Sequence, residues 1–178
     1  MTIYTDMKLI EPLLDDIDQI TRGAHGRYRD YPAQVLIEHS PRTAATCTYD
    51  HMVAMADELW TDRPGIVAIE LGGLKLWLIK DVVVLRLKKM DEDGRSRNYP
   101  TQQAKDFDRQ LPLPGLPDPA IRLTAGYLLD ETQTQFRRAQ IARPVAPGIT
   151  AWCAAIVPAS APGGAATWHE VTRERGLL

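Results

Sequence analysis

The chain is poor in the residues and spacings that announce chemistry. Cys47 and Cys153 are its two cysteines, far apart and without CxxC spacing, so a disulfide framework or a zinc site has little support. No apolar run approaches the roughly 18–20 residues needed to span a bilayer. The opening "MTIYTDMKLIEPLLDD" lacks the basic and unbroken apolar regions of a signal peptide. The four histidines, His25, His39, His51 and His169, fall in neither HxxxH nor HExxH spacing, which removes the zinc-peptidase helix. Asp50 and His51 are sequence neighbours, which point about 100° apart on a helix and make no dyad. GxSxG, GxGxxG and the P-loop are all absent, so neither a nucleophile elbow nor a nucleotide cradle is indicated. A net charge of −2 argues against a protein that coats nucleic acid over its whole surface. No cofactor, no metal and no membrane contact are expected, and the expected compartment is the cytoplasm.

What is present is an ordinary globular composition, 44% apolar and 25% charged over 178 residues. That length suits one domain burying about two-thirds of its unfolded surface. Residues 1–64 read as helical. Leu13, Leu14, Ile17 and Ile20 share a helical face, with Pro12 in a first turn and Gly23 as a stop. "AHGRYRDYP" then reads as a basic connector, and "AQVLIEH" fits helix or strand. Ser40 and Pro41 open a longer helix with an apolar stripe at Ala45, Tyr49, Met52, Met55, Ala56, Leu59 and Trp60, ended by Arg63-Pro64-Gly65. Cys47 lies on its apolar side as a small core residue.

From residue 65 to 158 the period changes to two. "IVAIEL" and "LKLWLIK" flank Gly72-Gly73, a hairpin signal. Asp81 marks a turn or bulge before "VVVLRLKKM". Thr101 caps a short helix near 101–110, and the Pro-rich "LPLPGLPDP" must be extended. A second hairpin turns at Asp130-Glu131, "ITAWCAAIVP" is a last strand, and 159–178 reads as a flexible tail with a possible helix or docked end. Trp60, Trp77 and Trp152 are core or edge anchors, whereas Trp168 in the tail is available to dock on the domain or a partner. Helices first and antiparallel strands afterwards give an α+β fold, N-terminal helices packed on a mainly antiparallel sheet of about five to six strands.

Residues 80–144 hold twelve of the 21 Lys/Arg and nine of the 23 Asp/Glu, while the rest of the chain is acidic. Strand alternation puts Arg86 and Lys88 on one face, which Arg122 and Arg137 or Arg138 can join from neighbouring strands. Arg95, Arg97 and Asn98 on the next loop would extend a concave cationic surface, and Tyr99 would offer a stacking platform. Arginine forks suit phosphate or carboxylate, and a cationic face draws polyanions. The plainer account makes these the solvated outer face of a sheet, paired with Asp91, Glu92 and Asp93.

"DEDG" at 91–94 starts like a calcium loop but lacks the later acidic ligand, and Asp-Gly is a common turn device. A metal-dependent phosphodiester hydrolase would place Glu70 or Asp81 beside Lys88. Its acid-x-Lys triplet is missing, because Arg86 occupies the acid position.

At "VVVLRLKKMDEDGRSRNYPT", "KDFDRQLPLPGLP" and "IRLTAGYLLD" the chain resembles a family of uncharacterised bacterial proteins from mobile-element or toxin–antitoxin-like loci, over roughly residues 24–157. Neighbours in such loci include helix-turn-helix regulators and zinc metallopeptidases. The resemblance implies a setting and no catalytic residue. The expected function is a non-enzymatic module binding a partner protein in a bacterial regulatory or defence-type system through Asp91–Thr101 and the adjacent strand face. The alternatives are nucleic-acid binding by the cationic face and, as the enzyme reading, a nuclease-like hydrolase. Oligomeric state is not legible in the sequence.

Overall fold

A computed structural model describes residues 2–96, 101–118 and 120–171. Its N-terminal part is built by amphipathic spacing. Helix α1 (Ile3–Ile10) buries Ile3, Met7 and Ile10 on one side. Pro12 then sits in a 3-10 turn, Glu11–Leu13, that leads into α2 (Leu14–Arg29). Gly23 does not stop α2, contrary to the expectation from sequence. The apolar face continues through Ala24 and Tyr28, and a side chain at Gly23 would run into Met55 of the later helix Pro41–Trp60. The "AHGRYRDYP" connector is therefore mostly helix. "AQVLIEH" is settled as the short helix α3 (Ala33–Glu38), which buries no residue. In α4 (Pro41–Trp60), the Ser40 hydroxyl accepts from the Thr43 amide and Pro41 opens the first turn.

The described residues form one seven-stranded sheet in sequence order: β1 (Ile66–Leu71), β2 (Leu74–Ile79), β3 (Val83–Lys89), β4 (Ile121–Leu129), β5 (Phe136–Ala146), β6 (Ile149–Val157) and β7 (Thr167–Glu170). The fold is α+β, with one strand more than the upper expectation. The extra strand is β7, which lies in what reads as a flexible tail. It pairs with β6, and Trp168 packs on Tyr4 with ring centroids 5.5 Å apart while its indole N–H donates to Glu11. Both hairpins form as read, at Gly72-Gly73 and after Asp130. The turn before β3 holds Lys80 and Asp81 at positive φ.

Neighbouring strands are antiparallel except β3 and β4, which run parallel. A parallel pair requires a long crossover. Here it is residues 90–120, containing α5 (Gln102–Asp108). The N-terminal helices cover one sheet face, where Leu85, Leu87, Leu123, Ala125 and Tyr127 join the main core. The crossover covers the other, where Phe107 and Leu113 pack with Leu76, Leu78 and Val84. The central strands are thus buried on both sides, and every residue of β4 is buried. Among the described residues, no helix is long and apolar enough to cross a membrane.

Candidate functional site

Strand alternation puts Arg86 and Arg122 on the same face, as the sequence suggests, but that face is not open. Each residue is only 4% exposed. Helix α5 lies over them, with the Phe107 ring 4.5 Å from the Arg86 guanidinium carbon and 6.0 Å from that of Arg122. Arg86 Nε donates to Thr124 Oγ1 at 2.9 Å, and Nη2 donates to Asp108 in a buried ion pair. Arg122 Nη1 donates to the Asp106 carbonyl at 3.1 Å. A concave cationic surface built on these arginines does not exist. Burial works against both charges of the Arg86–Asp108 pair, raising the carboxyl's pKa and lowering the guanidinium's, and each charge offsets this for the other.

The loop after β3 is likewise used by the fold. The Asp91 carboxylate accepts from the amides of Asp93 and Arg95, at 3.0 and 2.9 Å, in an Asx-type turn. Gly94 has φ +77°, and a side chain there would collide with Ala142 and Cys153. Gln140 donates to the Asp91 carbonyl, Thr150 to the Asp93 carbonyl, and Arg137 pairs with Glu92. Arg95 pairs with Asp93. "DEDG" is therefore a turn, and Arg95 and Arg137 are tied to carboxylates of their own chain. Arg97, Asn98 and Tyr99 lie outside the described residues.

The hydrolase constellation is also dispersed. Asp81 sits in the turn before β3 and Lys88 near that strand's far end, roughly 20 Å away at a strand's rise per residue. Glu70 is exposed on edge strand β1, opposite Lys75 and two strands from β3. No group of three His, Cys, Asp or Glu residues among those described could hold a metal ion. Cys47 and Cys153 are both free, and burial pushes the Cys153 thiol up to about 12, which leaves it inert as a nucleophile.

What the structure does assemble is a groove of about 990 Å³ between the first half of α4, the end of β3 with its loop, and the β4–β5 turn. Tyr49, Met90, Leu128 and Leu129 give it apolar surface. Its described lining includes five basic and five acidic side chains, which leave it without a net sign. Arg42 and Thr46 are exposed on the α4 wall, Glu131 and Gln133 on the turn. Sequence reasoning missed these four because helix and turn residues carry no mark of the wall they face.

Lys88 occupies a gap in the sheet. Strand β2 pairs with β3 only from Val83 to Leu85, so Arg86–Lys89 have β4 alone as a neighbour. Through this gap Lys88 borders both the groove and a smaller cavity on the α5 side. Its ammonium lies 5.5 Å from the Tyr49 ring centroid. Burial, then the nearby Arg86 charge, lower its pKa. Of the sequence-read cluster, Arg86 and Lys88 stay together, Arg122 is sealed beneath α5, and Arg95 and Arg137 belong to the groove wall.

Comparisons with known proteins decide nothing further. No family model, curated protein or solved structure matches the chain. The groove and the Lys88 gap therefore have to be interpreted from their own geometry.

Proposed function

We propose that the chain is a non-enzymatic interaction module that takes a segment of a partner protein into the groove between α4 and the β4–β5 turn. The setting is a bacterial regulatory or defence-type system, as the resemblance implies. The observation that carries the reading is the combination of apolar lining with walls of both signs. A peptide offers apolar anchors and charges of either sign, which such walls complement. A nucleic acid needs an excess of cations to displace its counterions, and with Arg86 and Arg122 buried the groove's lining among the described residues, five charges of each sign, supplies none. The hydrolase alternative has no described cluster of ligands and no acid beside Lys88 at the missing motif position. The contact surface shifts accordingly, from an outward strand face to the groove, with the loop at 91–95 as one wall.

Thr46→Trp places an indole on the exposed α4 wall without touching the core. Gln19→Trp, on the exposed side of α2, is the control. In affinity capture from the native host, the partner should be recovered with wild type and Gln19→Trp and fall at least tenfold with Thr46→Trp. Melting temperatures should agree within about 2 °C, as for benign surface changes. Equal recovery with all three proteins contradicts the groove reading.

A further inference from the structure

On the α5 side of the Lys88 gap lies a cavity of about 220 Å³ bordered by Arg86, Lys88 and Asp108. These three are its charged side chains among the described residues, and their charges sum to +1. Arg86 is nearly inaccessible, yet only its Nε and Nη2 are engaged, on Thr124 and Asp108. Its Nη1 has no hydrogen-bond partner among the described residues, and neither does the Lys88 ammonium, which lies 5.5 Å from the Tyr49 ring centroid. Two positively charged side chains thus border one small space, with Asp108 as its one carboxylate among the described residues. Ser96 and Thr101 add hydroxyls to the lining and Leu74 an apolar side.

We propose that this cavity binds a small organic monocarboxylate, received by Arg86 Nη1 and the Lys88 ammonium. Charge selects the class. One carboxylate brings the local sum to zero, and charge-assisted hydrogen bonds of this kind are the strong ones. A phosphate near neutral pH carries close to two charges, and the surplus would face the Asp108 carboxylate on the cavity border. The volume holds a short-chain acid and excludes a drug-sized ligand. The bound anion would also relieve the burial and Arg86 repulsion that weaken the lysine's charge. The site shares Lys88 with the groove, but the two readings fail separately: Thr46 lines the groove and not the cavity, whereas Arg86 and Asp108 line the cavity and not the groove.

The test is isothermal titration of the full chain with sodium acetate, sodium propionate and sodium phosphate against sodium chloride at equal ionic strength. Lys88→Met removes the ammonium, with Lys88→Gln as a second variant and circular dichroism to check the fold. Saturable binding of acetate or propionate, at least tenfold weaker in the folded variant and tighter than phosphate binding, supports the site. Carboxylate heats no different from chloride overturn it, as does equal affinity in wild type and variant. Tighter binding of phosphate than of either carboxylate overturns the choice of a monoanion.

Discussion

Replacing Asp108 by Asn preserves its size while removing the carboxylate that Arg86 Nη2 contacts beneath α5. An uncompensated guanidinium in so buried a place costs about 3 kcal/mol or more. Urea unfolding of Asp108→Asn should show that loss. The double variant Arg86→Met, Asp108→Leu should recover much of it, because removing both charges leaves none unpaired. A single-variant loss under about 1 kcal/mol, the scale of exposed pairs, would mean the pair is not internal. His25 gives a pH-dependent counterpart. It is buried between Tyr127 and Phe136, with ring centroids at 6.3 and 6.1 Å, and burial lowers its pKa below 6.5. Arg29 and Lys89 lower it further, against opposing effects of the Thr134 backbone and Asp130. Below pH 6.5 the unfolded chain binds a proton here that the folded chain refuses, so stability falls as pH drops toward the folded-state value. Unfolding free energies measured between pH 7.5 and 5 should decline less in His25→Gln than in wild type. Equal slopes would contradict the assignment.

The elements show what the sequence made legible and where it misled. Capping at Ser40, the Gly72-Gly73 hairpin and the alternation of β3 all leave direct marks in residue order, and each forms as read. Gly23 misled because glycine can end a helix or let two helices approach, and only Met55 across the interface distinguishes the two. The larger miss concerned the second sheet face. The run "VVVL" and the mixed apolar content of "IRLTAGYLL" are signs of strands buried on both sides. Arg86 and Lys88 at alternate positions, with Arg122 on a neighbouring strand, point to an outer face instead. What settles the matter is the parallel crossover, which arises from long-range pairing and has no local signature. β7 was hidden for a related reason: "TWHE" is four residues long and follows a Gly/Ala/Pro-rich stretch, so only pairing to β6 defines it. The covering role of α5 is testable at this scale. Phe107→Ala, in the middle of the second core cluster and against both guanidiniums, should cost about 3–5 kcal/mol. Gln102→Ala, exposed at the start of the same helix, should cost under about 0.5 kcal/mol. Similar small losses at both positions would mean α5 does not seal the sheet.

For the molecule as a whole, three layers divide the labour. The N-terminal helices and the crossover stabilise the sheet from its two sides, which takes Arg86 and Arg122 out of reach of a partner. What is left accessible is the groove where α4, the β3 end and the β4–β5 turn meet without closing. The candidate site was therefore legible only in part. The sequence points to the loop Asp91–Thr101, of which Asp91, Glu92, Asp93 and Arg95 line the groove, and carries no mark that the opposing wall comes from a helix some forty residues earlier. The most direct measurement is photocrosslinking in the native host with a benzophenone amino acid at position 46, compared with position 19. The groove account predicts a discrete protein adduct from position 46 that is absent at position 19. Adducts of the same protein with equal yield at both positions, or at position 19 alone, would contradict it.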